Sequence, residues 1–412
     1  MMKALSIVRL ALDSADFGGD PDWKENLHPR ETKGGKGGGR FRTKIENIKE
    51  QDDLSDAKHI AERAEQTATE ERQDEDADTE QEEFNEEYTV KLPDGRIIDK
   101  GESSLYYDEN GNLLPHRFSP FLKRQGGDGR ISEQMNGILD RLYSGENVST
   151  EEIERTPEWQ MAMGKENEIE KELLGKYGVS RTNEINTSAR QAQRDAIVNA
   201  ALSETVQRSV PIEGIDGEFE MNDGLEEGEN YQVAREHKVV IPIGMPASGK
   251  STTYANPMAK QYKARLIDSD AIKKVLPEFA NGYGGNVVHE ESSEINEEIL
   301  NKAIERGDNI VHPILGANAE KLGDMIDNFH KHGYKVMLCF KDMPISIVKA
   351  RLLSRFLKTG RFIPLHVIGK AEKGFPESYE VNKVKADAFV RSTNKKGFGN
   401  QEFIQEQKGS LD

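Results

Sequence analysis

The most chemically specific stretch of the sequence is Gly244-Met-Pro-Ala-Ser-Gly249-Lys250-Ser251. Its glycines, its lysine and its final hydroxyl residue fit the phosphate-loop pattern with no mismatch. Glycine lets the backbone turn tightly and approach a ligand closely. The loop amides and the positive end of the following helix then favour an anion. We predict nucleotide-binding residues at Gly244, Ala247, Ser248, Gly249, Lys250, Ser251 and Thr252.

Each polar residue of this loop has an expected role. Lys250 can reach the β- and γ-phosphates of ATP, the Ser251 hydroxyl can hold Mg²⁺, and Thr252 is placed for the α-phosphate. The alternative is a plain glycine turn between a strand and a helix. The apolar run at 238–243 and the helix-compatible segment after the loop favour the nucleotide interpretation.

Two carboxylates, Asp268 and Asp270, follow the next apolar run in "ARLIDSDAIKK". Side chains two apart in extended backbone share a face, so both can point toward the same ligand. We predict that Asp270 takes the proton of an attacking hydroxyl and that Asp268 contributes to the substrate site. The alternative is a helix N-cap, with Ser269 or Asp270 capping "AIKKVL"; the two roles are compatible.

A basic segment, "SIVKARLLSRFLKTGRFIP", resembles the lid of small nucleotide-dependent kinases. Arginines in such lids stabilise the charge that spreads over a transferring phosphoryl group. We predict this role for Arg355 and Arg361, with Arg351 the weaker candidate. The alternative is a solvated helix face.

A third group of candidate site residues lies in the segment "HEESSEINEEILNKAIERG". Glu291, Ser292 and Glu297 could line a substrate pocket, because carboxylates accept hydrogen bonds from sugar hydroxyls. Helix capping is an equally good explanation for the first-turn glutamates.

From residue 238 onward, apolar strands alternate with helical segments, which is typical of an α/β fold with a parallel sheet and helices on both faces. The predicted strands are 238–243, 264–268, 309–314, 334–340 and 387–391, and the predicted helices are 249–260, 290–306, 318–332 and 344–357. Ligands of such sheets bind beyond the carboxyl ends of the strands.

The preceding sequence differs in character. Residues 1–88 predict a flexible leader, with 18 acidic and 4 basic residues between positions 46 and 88. Residues 89–184 predict two small hairpins followed by helices. Residues 211–235, acidic and glycine-containing, predict a loop or linker. We therefore expect three regions: 1–88, 89–184 and a nucleotide-binding domain at 185–412.

The formal net charge of −18 is concentrated in the acidic segment, whereas residues 238–412 carry 26 basic and 21 acidic residues. This mild positive balance suits anionic substrates and is too weak to indicate nucleic-acid binding. The single cysteine, Cys339, excludes an intramolecular disulfide, and no stretch is long and apolar enough to span a membrane. We expect a cytoplasmic protein without nucleic-acid or membrane partners.

In this order, the phosphate loop, the Asp268-Ser-Asp270 motif and the basic segment resemble the zeta toxin family of kinases over residues 185–395. The resemblance implies that Asp270 is the catalytic base, that Arg355 and Arg361 are the lid arginines, and that Glu297 lies in the substrate pocket. It implies phosphorylation of UDP-N-acetylglucosamine and an antitoxin partner. At the end of the third strand, His312 and Pro313 stand where family members that use this sugar nucleotide carry a glutamate.

The sequence thus predicts a P-loop kinase that uses ATP and Mg²⁺ to phosphorylate a hydroxyl of a small molecule. Two alternatives stay open. One is a different small-molecule or nucleoside kinase on the same fold. The other is a structural protein of a phage or mobile element whose domain only binds nucleotide, since "DPDWKENLHPRETKGGKGGGRF" is similar to segments of phage head-associated proteins and would allow virion association.

Overall fold

The computed structural model describes residues 89–108, 110–361, 363, 366–393 and 403–411. The leader predicted for residues 1–88 lies outside the described residues. Within the described ranges no helix is long and apolar enough to cross a membrane.

The strands of the described chain fall into one large sheet and three small hairpin-like pairs. In chain order they are β1 Thr89–Lys91, β2 Ile97–Asp99, β3 Thr205–Gln207, β4 Ser209–Pro211, β5 Glu218–Glu220, β6 Asn230–Gln232, β7 Lys238–Ile243, β8 Arg265–Leu266, β9 Ile310–Val311, β10 Lys335–Asp342, β11 Ala388–Thr393 and β12 Phe403–Lys408. The large sheet has the order β12-β11-β10-β7-β9-β8. All of its pairings are parallel except that of β11 with the edge strand β12.

Helices connect these strands and also fill most of the chain between β2 and β3. They are α1 Pro120–Arg124, α2 Glu133–Tyr143, α3 Thr150–Glu154, α4 Pro157–Tyr177, α5 Ser188–Ala201, α6 Asn256–Gln261, α7 Ser269–Val275, α8 His289–Arg306, α9 Ala319–Lys331, α10 Ile345–Thr359 and α11 His366–Lys383. A π-helical turn, Ser251–Ala255, precedes α6. Pro257, near the start of α6, lacks the N–H that a regular α-helical turn needs there.

Both faces of the sheet are covered, as the sequence predicts. Successive strand residues face opposite sides. Val240 on β7 and Cys339 on β10 therefore pack with Ala255 and Ala259, at the π-turn and α6. The neighbouring residues Ile241 and Leu338 join the larger core with the helices of the other face. Continuous burial from Val239 to Ile243 is typical of a central parallel strand.

The region before the sheet domain packs directly against α10. Phe121 of α1 contacts Phe356 with ring centroids 5.3 Å apart, and Trp159 of α4 contacts the same ring at 5.4 Å. The predicted hairpin at β1 and β2 is present, with Gly95 at φ 90° in its turn. All described residues fall within one compact unit, and the boundary between 184 and 185 stays a prediction.

The expectation that residues 211–235 form a loop or linker is wrong. This segment carries β5 and β6, which pair with β4 and β3, and it buries Phe219, Met221 and Leu225. Strands of three residues give too few alternating positions to be recognised by periodicity. Sequence reasoning also missed α11, because Pro376 within it is a residue that normally ends a helix.

The packing of Phe121 generates a stability prediction. Its side chain is 1% exposed and contacts both Phe356 and Tyr283. We expect Phe121→Ala to lower the free energy of unfolding by about 3–5 kcal/mol. In a denaturant titration, a single transition shifted as a whole would show that residues 89–184 unfold together with the sheet domain. Leu174→Ala, at a position that is 59% exposed, should shift it little. A separate early transition for the Phe121 variant would contradict this coupling.

Candidate active site

The phosphate loop leaves β7 in a conformation that its small residues permit. Gly244 has φ 147°, Ala247 φ 61° and Gly249 φ 90°. A β-carbon at Gly244 would lie 2.8 Å from the carbonyl oxygen of Lys341 on the adjacent strand β10. Any larger residue at this position would therefore push the loop off the edge of the sheet.

Lys250 lies across this loop. Its Nζ donates to the carbonyl oxygens of Gly244 at 3.1 Å and Met245 at 3.4 Å. Burial lowers the pKa of Lys250, while the charges of Asp268 and Asp270 act in the opposite direction. The Oγ of Ser248 is buried and has no hydrogen-bond partner within the described chain. Ser251 and Thr252 are exposed at the loop exit.

The two aspartates begin α7. Asp268 is its N-cap, with Oδ1 accepting the Asp270 backbone N–H at 2.9 Å. An N-cap is therefore present at this point, as the alternative interpretation expected, but the capping residue is Asp268 and not Ser269 or Asp270. The same side chain also lines the cavity described below.

The aspartates differ strongly in acidity. Burial and the nearby Asp270 charge raise the pKa of Asp268 to about 6. Burial alone would raise the pKa of Asp270 as well, but the Arg361 guanidinium and Lys273 hold it well below its usual range. Two neighbouring carboxyls with pKa values pushed in opposite directions are typical of a catalytic site.

Two arginines complete the charged cluster. Arg361, just after α10, forms an ion pair with Asp270. Arg355, within α10, has buried Nε and Nη2 atoms that lack hydrogen-bond partners within the described chain. Burial and the Arg361 charge lower the pKa of Arg355 to about 9. A buried guanidinium with unsatisfied donors is costly, so this geometry favours an incoming anion.

Five of the predicted site residues line one cavity of ≈ 340 Å³, at the carboxyl edge of the sheet. They are Ser251, Asp268, Asp270, Arg355 and Arg361. The volume falls within the range of small-molecule sites in proteins. The cavity therefore brings a phosphate-loop hydroxyl, two carboxylates and two guanidinium groups to one place.

The structure does not bring Glu291, Ser292 and Glu297 into the lining of this cavity. Glu291 is fully buried and binds Arg190 at 2.8 and 2.5 Å and Arg194 at 2.7 Å, both on α5. Ser292 donates through Oγ to the carbonyl oxygen of His289 at 2.8 Å. The arginines on α5 hold the first turn of α8 against that helix, and the substrate role of the three residues stays a prediction.

Sequence reasoning missed a second wall of the cavity, which the end of β5 and the segment after it supply. Asp223 accepts a hydrogen bond from Asn256 Nδ2 at 2.5 Å, and Glu220 pairs with Lys274 at 2.9 Å. A β-carbon at Gly224 would lie 2.7 Å from Cβ of Asn256, so glycine allows this close approach. The cavity is lined by Glu220, Asp223, Asn256 and Lys274, and no periodic pattern could have identified them.

The third-strand residues that differ from the family pattern lie beneath this edge. His312 is 1% exposed, and its Nδ1 lies 2.8 Å from the carbonyl oxygen of Ile267. Burial lowers the pKa of His312, so the ring is neutral at pH 7. His312 and Pro313 are not among the residues that line the cavity.

The family model described as Zeta toxin matches residues 222–403. This chain is similar to two solved structures: that of the PezAT toxin–antitoxin system of Streptococcus pneumoniae and that of AvrRxo1-ORF1:-ORF2 with ATP. The first is 11% identical, with 44% of this chain and 76% of that chain covered and a TM-score of 0.34. The second is 12% identical, with 64% and 73% covered and a TM-score of 0.34. No curated protein matches the chain.

The acidity of Asp268 generates a pH prediction. Its folded pKa of about 6 lies above that of an unfolded aspartate. Its ionisation therefore costs the folded protein stability as the pH rises from about 4 through 6. Asparagine caps helices equally well and does not ionise. Without Mg²⁺ and nucleotide, we expect Asp268→Asn to be more stable than wild type by on the order of 1 kcal/mol at pH 8.

This difference should shrink toward pH 4, as measured by denaturant titration across that range. Asp324→Asn, an exposed position on α9, is the control and should show little difference at either pH. A stability gain for Asp268→Asn that is the same at pH 4 and pH 8 would contradict the raised pKa of Asp268.

Proposed function

We propose that this chain, which carries a zeta toxin domain at residues 222–403, transfers the γ-phosphate of ATP to a hydroxyl group of a small molecule. One observation carries the proposal: an ionised carboxylate, Asp270, and a buried guanidinium with unsatisfied donors, Arg355, line the same cavity as the phosphate-loop hydroxyl of Ser251. Phosphoryl transfer needs little more than such positioning and charge stabilisation.

The phosphate end of ATP would be held by the loop from Gly244 to Thr252. Backbone amides of a loop with positive φ values, together with the ammonium of Lys250, suit the β- and γ-phosphates. An incoming phosphate would also give the buried Ser248 hydroxyl a partner. Lys250 would exchange its two carbonyl contacts for phosphate oxygens.

The residues present fit Mg²⁺, which prefers oxygen ligands and keeps several waters. Ser251 and Asp268 offer a hydroxyl and a carboxylate to one cavity. When bound with ATP, the ion would neutralise charge on the phosphates. Ser251 would hold it directly, and Asp268 would do so through water.

The proton of the acceptor hydroxyl would pass to Asp270. In its ion pair with Arg361 this carboxylate is ionised but weakly basic. If Arg361 turns toward the transferring phosphoryl oxygens, Asp270 loses its strongest cationic partner and its pKa rises. The same motion would thus stabilise the transition state and activate the base. Arg355 would supply further charge stabilisation.

We propose UDP-N-acetylglucosamine as the acceptor, on the strength of the resemblance to the zeta toxin family. The wall formed by Glu220, Asp223 and Asn256 offers oxygen atoms that can accept hydrogen bonds from sugar hydroxyls. Lys274, which also lines the cavity, offers positive charge to a diphosphate. By the same resemblance we propose an antitoxin protein as partner. A cytoplasmic location stays a prediction.

Substitution of the base and of the loop lysine separates catalysis from binding. We expect Asp270→Asn to retain ATP binding and to lose about 10²–10⁴-fold in phosphoryl transfer. Lys250→Ala should weaken both. ATP binding is measured by equilibrium dialysis. Phosphoryl transfer is measured as the rate at which label moves from the γ-phosphate of ATP into the product. Asp324→Asn is the matched control and should keep wild-type rates. Wild-type transfer by Asp270→Asn would refute the assignment of the base.

The acceptor is tested by incubating the full chain with ATP, Mg²⁺ and UDP-N-acetylglucosamine, with mass spectrometry of the products. We expect a product heavier by one phosphate group, absent with Asp270→Asn. Phosphorylation of another compound in a metabolite extract, but not of this one, would favour a different small-molecule kinase. Tight ATP binding without transfer to any compound would favour the alternative of a structural protein with a nucleotide-binding domain.

A further inference from the structure

The helix that carries the cavity arginine is held along its length by the region before the sheet domain. The contacts are polar and buried or partly buried. Lys349 Nζ donates to the carbonyl oxygen of Val148 at 2.7 Å, and the hydroxyls of Ser354 and Tyr143 lie 3.0 Å apart. Ser119 Oγ donates to the carbonyl oxygen of Leu357 at 2.6 Å. Helix α10 is therefore fixed in place by residues 119–148.

The contact nearest the phosphate loop joins Asp99 of β2 to Arg351 of α10. Arg351 Nη2 lies 2.8 Å from Asp99 Oδ2, and Nε lies 3.2 Å from the same oxygen. The Asp99 side chain has no exposed surface and also accepts the Gly101 backbone N–H at 2.7 Å. A carboxylate held from two sides fixes the plane of the guanidinium that it binds.

The remaining nitrogen of Arg351 faces the phosphate loop. Within the described chain, the hydrogen bonds of Arg351 use Nε and Nη2, not Nη1. A β-carbon at Gly249 would lie 3.9 Å from Nη1. Arg351 also precedes Arg355 by four residues, so the two guanidinium groups project from the same side of α10.

We propose that Asp99 is a positioning residue of the nucleotide site, which holds Arg351 so that Nη1 binds the phosphates of a nucleoside triphosphate. The hairpin of β1 and β2 then completes the site, although it lies more than 100 residues before the phosphate loop. This inference rests on the proposed function, because it assumes that the loop binds nucleotide. Arginine suits the role because the N–H groups of its planar guanidinium can donate hydrogen bonds to two anionic partners at once.

The test uses the full chain, with Asp99→Asn and Arg351→Gln singly and together. ATP affinity is measured by equilibrium dialysis with Mg²⁺ present. We expect each single variant to raise the Kd for ATP about tenfold, the effect of losing one charge-assisted hydrogen bond. The double variant should raise the Kd no further, because both changes remove the same contact. The affinity for adenosine, which lacks phosphates, should stay within about twofold.

Glu102→Gln is the matched control. Glu102 forms a buried ion pair with Arg117 in the same region, and within the described chain its carboxylate accepts hydrogen bonds from Arg117 and Tyr106, not from Arg351. This variant should lower the melting temperature but leave the Kd for ATP within about twofold of wild type.

The inference is wrong if Asp99→Asn leaves ATP affinity unchanged, if Glu102→Gln weakens ATP binding equally, or if adenosine affinity falls in parallel. Should wild type fail to bind ATP at all, the proposed function fails and the inference with it. Should wild type bind ATP in a Lys250-dependent manner while Asp99→Asn has no effect, only the inference fails.

Discussion

The candidate site depends on an excess of positive charge, carried by partly buried side chains, at the carboxyl edge of a parallel sheet. Lys250, Arg355 and Arg361 surround a single strongly ionised carboxylate, Asp270, and desolvation opposes the charge on each cation. Desolvation of cations that outnumber their counter-charges is unfavourable, so such a cluster favours binding of a further anion. The polyphosphate of a nucleotide is the ligand that the adjoining loop can hold.

Maintaining that excess requires a rigid support. A helix that bears a guanidinium with unsatisfied donors, as α10 does at Arg355, would relax by turning it toward water if nothing held the helix. Polar contacts from Ser119, α2 and the hairpin of β1 and β2 oppose this relaxation. The apolar contacts of Phe356 with Phe121 of α1 and Trp159 of α4 oppose it as well. The region before the sheet domain thus stabilises an electrostatic arrangement that the sheet domain alone would hold less firmly.

Site residues could be predicted from the sequence where the pattern that identifies them lies within a few positions of the chain. The phosphate loop, the two aspartates after β8 and the arginines near Gly360 depend on neighbours within a few positions, and the structure brings them together. The environment of Glu291 could not be predicted in this way. Its arginine partners lie about 100 residues earlier on α5, and charge complementarity over such separations leaves no periodic signal.

The two ends of the cavity are built by different physical means. At the phosphate-loop end, backbone geometry sets the shape: Gly244 is constrained by the close approach of the Lys341 carbonyl oxygen and by positive φ, and Gly249 by positive φ alone. At the other end, the wall of Glu220 and Asp223 comes from short strands and a loop, whose side chains can change without disturbing the sheet. Under the proposed function, substitutions in this wall would change the acceptor and leave the phosphoryl-transfer groups in place. His312 on the third-strand side is buried, neutral and absent from the cavity lining, so under the proposed function the acceptor contacts would come from this wall.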